Sequence, residues 1–348
     1  MLATFLFLSS GLFLGWSLGA NDAANVWGTA VGTNMVKFKS AAIVCSIFVI
    51  LGAVISGSGA SHTLGKLGAI STLPGAFTVA LAAALSVYMM TKAALPVSTS
   101  QAIVGAIIGW NLFSGTGVNM QSLTKILGTW VFSPILSAGF AFVLYYVVKF
   151  FLRRIRVHLI RLDFTTRFLL LAAGAFGSYT LGANNIANVM GVFIPSSVFQ
   201  DISIGGLFNL TGVQQLFAIG GVAIAVGVFT YSKRVMMTVG SEIYRLNPIT
   251  AFIVVLSSSI VLFLFASQGL KDLLVSHHLP SFPLVPVSSS QSIVGGVIGI
   301  GLAKGGRNIN FSILGRISMG WVMTPLISAI ISFISLFIVQ NVFSQIVN

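Results

Sequence analysis

The sequence predicts an all-α polytopic membrane protein made of two inverted-topology repeats, with broken helices and Ser/Thr-rich hairpin motifs. Three observations predict it. Of 348 residues, 56% are hydrophobic and 7% are charged, whereas a soluble domain carries about 25% charged residues. Apolar runs close to the roughly 20 residues of a spanning helix recur along the chain. Three polar motifs each occur twice, in the same order. The mean hydropathy of +1.01 agrees. The short alternating strands of a transmembrane barrel are absent from the pattern.

The N-terminal stretch "MLATFLFLSSGLFLGWSLG" has no basic leader and no A-x-A-like cleavage site, so it reads as the first helix rather than a cleaved signal. Residues 1–149 form the expected first repeat, with apolar segments at about 2–34, 40–56, 73–91, 95–113 and 123–149. A basic linker at 150–167 follows, within "KFFLRRIRVHLIRLDFTTR" (Lys149–Arg167). Residues 168–348 form the second repeat, with segments at about 168–196, 212–230, 249–268, 283–303 and 312–340. The single cysteine, Cys45, lies in an apolar run and has no intrachain partner, so it reads as packing.

The repeat is visible in the letters. "LGANDAANVWG" at Leu18 returns as "LGANNIANVMG" at Leu181. "PVSTSQAIVGAIIG" at Pro96 returns as "PVSSSQSIVGGVIG" at Pro286, and "WVFSPILS" at Trp130 as "WVMTPLIS" at Trp321. The offset widens from 163 residues for the first motif to 190 for the second, so the second half carries extra loop between them.

Charge sets the topology. The net charge is +13. With Lys37 and Lys39 cytoplasmic and every segment crossing once, the linker, Lys233, Arg234, Arg245, Lys304, Arg307 and Arg316 all fall inside. Only Lys66, Lys125 and Lys271 fall outside, which is the positive-inside pattern. The basic balance therefore reports membrane orientation, and no nucleic-acid partner is expected. Five crossings per half invert the second half, as in many secondary transporters. Parity survives if 73–91 and 95–113 form a re-entrant hairpin. The expected location is the plasma membrane, a prokaryotic inner membrane, with both termini outside.

The first motif places Gly19, Asn21, Asp22 and Asn25 inside an apolar segment. A helix broken there would free backbone groups, and these persist in a bilayer only where they line a cavity. Carbonyl, amide and carboxylate oxygens suit a small hard cation. The second copy offers Asn184, Asn185 and Asn188 without a carboxylate. The other acids, Asp163, Asp201, Glu242 and Asp272, fall in or near loops. Asp22 alone lies in a span, and an intramembrane carboxylate points to function. As a plain N-cap it would leave the recurrence of the Asn-rich motif unexplained.

In the hairpin motifs, proline stops the preceding helix and a Ser/Thr run caps the next. Gly105, Gly109, Gly295 and Gly299 then permit close helix packing. Each motif presents a helix N-terminus with hydroxyls and free N–H groups, which is an anion site in principle. The alternative is that these Ser and Thr residues bond only within and between helices. Trp130 and Trp321 read as repeat packing, and His62, His158, His277 and His278 carry no clear signal. No P-loop and no catalytic constellation is present, so neither an enzyme nor a self-contained ATP-driven pump is expected.

On the residues "GANDAANVWG" at Gly19, "GANNIANVMG" at Gly182, "PVSTSQ" and "PVSSSQ", the chain resembles the inorganic phosphate transporter family. The resemblance spans both halves. It implies secondary transport of inorganic phosphate driven by Na⁺ or H⁺, an inverted-repeat fold and a homodimer. It implies substrate contacts at Asp22, Thr99, Ser100, Gln101, Asn185, Ser289, Ser290 and Gln291. It implies cation contacts at Asn21, Asp22, Asn25, Ser98, Asn184, Asn185, Asn188 and Ser288. No covalently bound cofactor is implied; sodium serves as coupling ion. Many members carry Asp in both copies, where this chain has Asn185, which bears on the number of coupling ions. The long cytoplasmic loop of animal members is replaced by the short basic linker.

The sequence leaves competing readings: a sulfate or other oxyanion symporter, and a passive anion channel. A membrane scaffold would leave both polar motifs without a purpose. Asn-rich oxygen ligands favour Na⁺ over H⁺, because a proton relay would use more Asp, Glu or His.

Overall fold

The computed structural model describes residues 2–68, 70–92, 97–154, 158–197, 199–204, 208–242, 246–306 and 310–347. In the first half, α1 spans Leu2–Gly32, α2 Phe38–Ser56, α3 Ser58–Leu67, α4 Leu73–Lys92, α5 Thr99–Ser114 and α6 Met120–Arg154. In the second, α7 spans Leu159–Met190, α8 Gly212–Thr230, α9 Ser232–Glu242, α10 Pro248–Ala266, α11 Gln268–Ser276, α12 Ser289–Ala303 and α13 Phe311–Asn341. A two-stranded antiparallel hairpin, β1 (Ile202–Ile204) and β2 (Phe208–Leu210), lies between α7 and α8. Six of these helices, α2, α4, α6, α8, α10 and α13, are long and apolar enough to cross a membrane.

Apolar segments and helices correspond along the chain. The widening offset has its cause in the β1–β2 hairpin and in α11 with the extended stretch before α12. Helix α6 runs on to Arg154 and α7 starts at Leu159, where the His158 imidazole accepts from the Ile160 N–H. Most of the stretch read as linker is therefore helical. Asp163 and Asp272, expected in or near loops, lie within α7 and α11.

One expectation fails. Neither α1 nor α7 is broken at its polar motif; both helices run through without interruption. The motif side chains find lateral partners on neighbouring segments, Asn21 at Thr91, Asp22 at Ser289, Asn184 at Val287 and Asn188 at Ser100, with the backbone ladder closed. The motif glycines serve packing instead. A Cβ on Gly19 would strike the Ile224 backbone carbonyl of α8, and one on Gly182 the Val49 carbonyl of α2. Reciprocally, Gly227 meets Trp16 and Gly52 meets Tyr179.

The same pairing recurs at the hairpin helices. Gly105 and Gly109 of α5 receive the backbone of α13 at Pro325 and Ala329. Gly295 and Gly299 of α12 receive α6 at Pro134 and Ala138. Each half thus packs its hairpin helix on the other half's proline-bearing long helix. Prolines lack the N–H that would close the helix ladder and bend it there, and glycine lets the bend approach closely.

Both termini lie at one end of the bundle. Phe7 meets Phe77 near the start of α4, with ring centroids 5.9 Å apart. Trp110 Nε1 donates to the Val347 carbonyl at 2.9 Å. Helix α5 returns to the end where α4 began, since Asn111 Nδ2 donates to the Leu67 carbonyl at 3.0 Å. At 16 residues, α5 is about 24 Å long, short of the ~30 Å hydrocarbon core. Helices α4 and α5 run antiparallel, and Thr91 and Val97, on either side of their connection, sit beside the α1 motif.

Candidate functional site

The site forms where the motif segments of α1 and α7 meet the N-termini of α5 and α12. Residues 17–31 of α1, residues 180–190 of α7 and the short 3-10 turn Gly191–Phe193 that follows it are buried throughout. The first Asn of each motif is a clamp. Asn21 Nδ2 donates to Thr91 Oγ1 at 3.0 Å, and its Oδ1 faces the Val97 N–H at 3.5 Å. Asn184 Nδ2 donates to the Val287 carbonyl at 2.7 Å, and its Oδ1 accepts from the Val287 N–H at 2.9 Å. Each clamp fixes the residue just before a hairpin helix. Thr91 and the Val97 and Val287 backbones are contributions that the motifs did not reveal. Thr91 is legible only as a lone hydroxyl near the end of an apolar helix.

Ser98 and Ser288 are the N-caps, accepting from the Gln101 and Gln291 N–H groups at 3.2 Å each. Their oxygens hold the helix ends. Pro96 lies outside the described residues. Thr99, Ser100, Gln101, Ser289, Ser290 and Gln291, all buried, fill the first turns. The first N–H groups of a helix have no partner within it, and the helix dipole adds positive potential there.

The halves are cross-linked by hydrogen bonds. Ser289 Oγ donates to Asp22 Oδ2 at 2.9 Å, and Asn25 Nδ2 donates to Ser289 Oγ at 3.2 Å. Asn188 Nδ2 donates to Ser100 Oγ at 2.8 Å and to Asn185 Oδ1 at 2.9 Å, and Ser100 Oγ donates to the Val287 carbonyl at 3.2 Å. Ser290 Oγ lies 3.1 Å from Ser288 Oγ. Hydrogen bonds thus join Asp22, Asn25 and Ser289, and join Ser100, Asn184, Asn185 and Asn188 around Val287, while Thr99, Gln101 and Gln291 lie buried in the adjoining first turns.

That locus is incompletely satisfied. Asp22 Oδ1, Asn25 Oδ1, Thr99 Oγ1, Gln101 Oε1, Asn188 Oδ1, Gln291 Oε1 and Asn185 Nδ2 are buried with no hydrogen-bond partner. An unpaired buried polar group costs about 1–3 kcal/mol, so this concentration makes the locus a candidate ligand site. All but one of these atoms are oxygens, which is a donor set for a hard cation. Among the described residues no cluster of three or more His, Cys, Asp or Glu exists.

A profile of the phosphate transporter family matches residues 18–332, and again 275–347. The chain belongs to the phosphate transporter family. Among relatives in that family, a protein named as a phosphate permease in Methanocaldococcus jannaschii is 29% identical, over 92% of this chain and 93% of its own. Another, from Pyrococcus horikoshii, is 26% identical over 94% and 95%. A sulfate permease of Bacillus subtilis is 29% identical, over 99% of this chain and 90% of its own. A solved structure titled as the sodium-dependent phosphate transporter superposes with a TM-score of 0.75, at 23% identity, over 97% of this chain and all of that one, and so shares the fold.

Proposed function

We propose that this member of the phosphate transporter family is a cation-coupled symporter of inorganic phosphate, with Na⁺ favoured over H⁺. It works by alternating access in the plasma membrane, with both termini outside and the two halves as inverted repeats. The supporting observation is the cluster of unpaired buried atoms where two capped helix N-termini meet two Asn-rich helices.

The chemistry divides between two groups of atoms. Hydroxyls and N–H groups at the starts of α5 and α12 suit the oxyanion. The oxygens of Asp22, Asn25 and Asn188 suit Na⁺. The motifs supply no Lys or Arg, so co-bound cations would balance the phosphate charge. That requirement makes the two bindings interdependent, which is what coupling needs. Asn21 and Asn184 act as positioning residues, holding the segments that lead into α5 and α12.

A bundle with one buried locus between two similar halves supports rocking around a fixed site. Helix α9 packs extensively on α1, whereas α3 touches α7 more lightly and is flanked by open cavities. This asymmetry fits a state closed at the end opposite the termini. The homodimer implied by the family resemblance belongs to the same proposal; the exposed apolar faces of α6 and α13 face lipid or a second copy.

The test is uptake into liposomes by purified protein. Accumulation of phosphate above equilibrium under a cation gradient is expected, and flux that only runs downhill would identify a channel. Sulfate is the second reading, favoured by the Bacillus subtilis relative.

A further inference from the structure

We propose that Lys66, Lys125 and Lys271 form a second, weaker oxyanion station, a cationic vestibule from which the buried site is loaded. The proposal rests on the transport reading above but concerns residues outside the motifs. The three lysines stand on three different helices, α3, α6 and α11, and line one cavity of about 580 Å³. Lys66 and Lys125 are exposed and Lys271 is half-buried. No carboxylate lines the cavity. The nearest in sequence, Asp272, accepts from Gln268 Nε2 at 2.8 Å. The one ion pair among the described residues joins Arg167 to Asp163, far along the chain.

The placement is informative because it runs against the charge pattern of the chain. In the topology read from the sequence, the remaining lysines and arginines fall at the opposite end, around 37–39, 149–167, 233–245 and 304–316, and Lys92 stacks on Tyr88. A membrane protein has no topological reason to place cations at the end that carries the termini. This chain places three there and brings all of them to one cavity. Neighbouring ammonium groups repel one another, and a bound anion removes that cost. Asn119 and Gln121 add amide groups to the same walls.

The cavity wall also runs on in sequence into the site. Its wall includes Leu284 and Val285 of the extended stretch before α12. Thr63 Oγ1 of α3 donates to the Leu284 carbonyl at 2.6 Å. Two residues beyond Val285, Val287 is the residue clamped by Asn184. One segment therefore forms the vestibule wall at one end and the central site at the other. Positive potential in such a cleft concentrates anions and speeds their capture, and salt screens it over a Debye length of about 8–10 Å. The vestibule reads charge, so phosphate and sulfate would both be attracted, and selection is left to the central site.

The experiment compares wild type with the triple variants K66Q/K125Q/K271Q and K66R/K125R/K271R in liposomes. At low ionic strength the Gln triple is expected to raise the KM for phosphate roughly 3- to 10-fold, leaving the maximal rate and the Na⁺ dependence unchanged. The difference should shrink as salt rises, and the Arg triple should match wild type. Equal KM in wild type and the Gln triple at low salt would overturn the proposal, as would a loss in both triples that ignores salt. A second readout needs no transport: in Asp22→Asn, millimolar phosphate or sulfate is expected to slow labelling of Lys66, Lys125 and Lys271 by an impermeant amine reagent more than chloride at matched ionic strength. Failure of that protection would count against the vestibule alone. Failure of wild type to take up phosphate, with protection intact, would count against the transport reading alone.

Discussion

The Ser289 hydroxyl donates to the Asp22 carboxylate across 2.9 Å. The bond ties the hairpin helix of the second half to the one acid carried by the two Asn-rich motifs, and it leaves the other oxygen of Asp22 buried and unpaired. One carboxylate thus serves two purposes: one oxygen joins the halves and the other faces the locus.

Asp22→Asn is expected to fold and to lose concentrative uptake by about tenfold or more. A hydrogen bond to a charged group is worth about 1.5–3 kcal/mol, and tenfold corresponds to about 1.4 kcal/mol. Asn keeps the shape and an acceptor for Ser289 but removes the charge that offsets a cation. Accumulation equal to wild type under the same cation gradient would exclude Asp22 from coupling.

Ser100→Ala and Ser290→Ala are each expected to weaken phosphate binding, read by equilibrium binding or by KM. The two should differ in stability. Ser100 accepts from Asn188 and donates to the Val287 carbonyl, whereas Ser290 has Ser288 as its partner. Losing Ser100 therefore removes a link between the halves, and the melting temperature should fall further for Ser100→Ala than for Ser290→Ala. Unchanged affinity in both variants would remove the hairpin helices from the anion site.

Gly105→Val and Gly295→Val are expected to lower the melting temperature by several degrees and by similar amounts. Each side chain would meet the backbone of a proline on the facing helix, Pro325 or Pro134, and overpacking costs about 1–3 kcal/mol. Gly128→Ala in α6 is the control: nothing lies within 4 Å of the added carbon, and alanine is the better helix former. Full stability of both valine variants would contradict the reciprocal packing.

Orientation is expected to place the termini outside. The one cysteine, Cys45, is buried, so the native chain gives a quiet background. On intact cells an impermeant thiol reagent should label Ser344→Cys and spare Arg161→Cys. The reverse pattern would invert the topology and put the lysine vestibule on the cytoplasmic side.

The apolar helices, the duplicated motifs and the capped starts of α5 and α12 were legible because each depends on local pattern: apolar length, duplicated letters, and a capping run after proline. The helix break at Asn21–Asp22 was a misreading with a physical cause. Polar residues inside an apolar segment force either an open backbone or lateral partners, and sequence alone does not distinguish them. The partners here come from far along the chain: Thr91 for Asn21, Ser289 for Asp22, Ser100 for Asn188. The short helices α3, α9 and α11 and the β1–β2 hairpin were missed because they are too short to register in span-length windows. The lysine cavity was invisible for a further reason. Lys66, Lys125 and Lys271 are spread across both halves and meet only in three dimensions.

The last expectation concerns what is carried and what drives it. Near neutral pH phosphate keeps at least one proton, whereas sulfate is a dianion that only accepts hydrogen bonds. The locus offers donors at the starts of α5 and α12, but its unpaired atoms are mostly acceptors, including Gln101 Oε1, Gln291 Oε1 and Asp22 Oδ1. Against such acceptors a protonated oxyanion can donate, while sulfate meets lone pairs with no proton between them. The same acceptors are amide and carboxylate oxygens, and among the described residues no group of three or more His, Cys, Asp or Glu exists, a chemistry that suits Na⁺ better than a proton relay. Labelled phosphate should therefore enter liposomes under an inward Na⁺ gradient at equal pH, with sulfate in tenfold excess competing weakly. Uptake that ignores Na⁺ and follows a pH gradient would refute the sodium assignment. Strong competition by sulfate would move the chain toward its Bacillus subtilis relative, and the acceptor-rich locus would then have to be neutralised by additional bound cations.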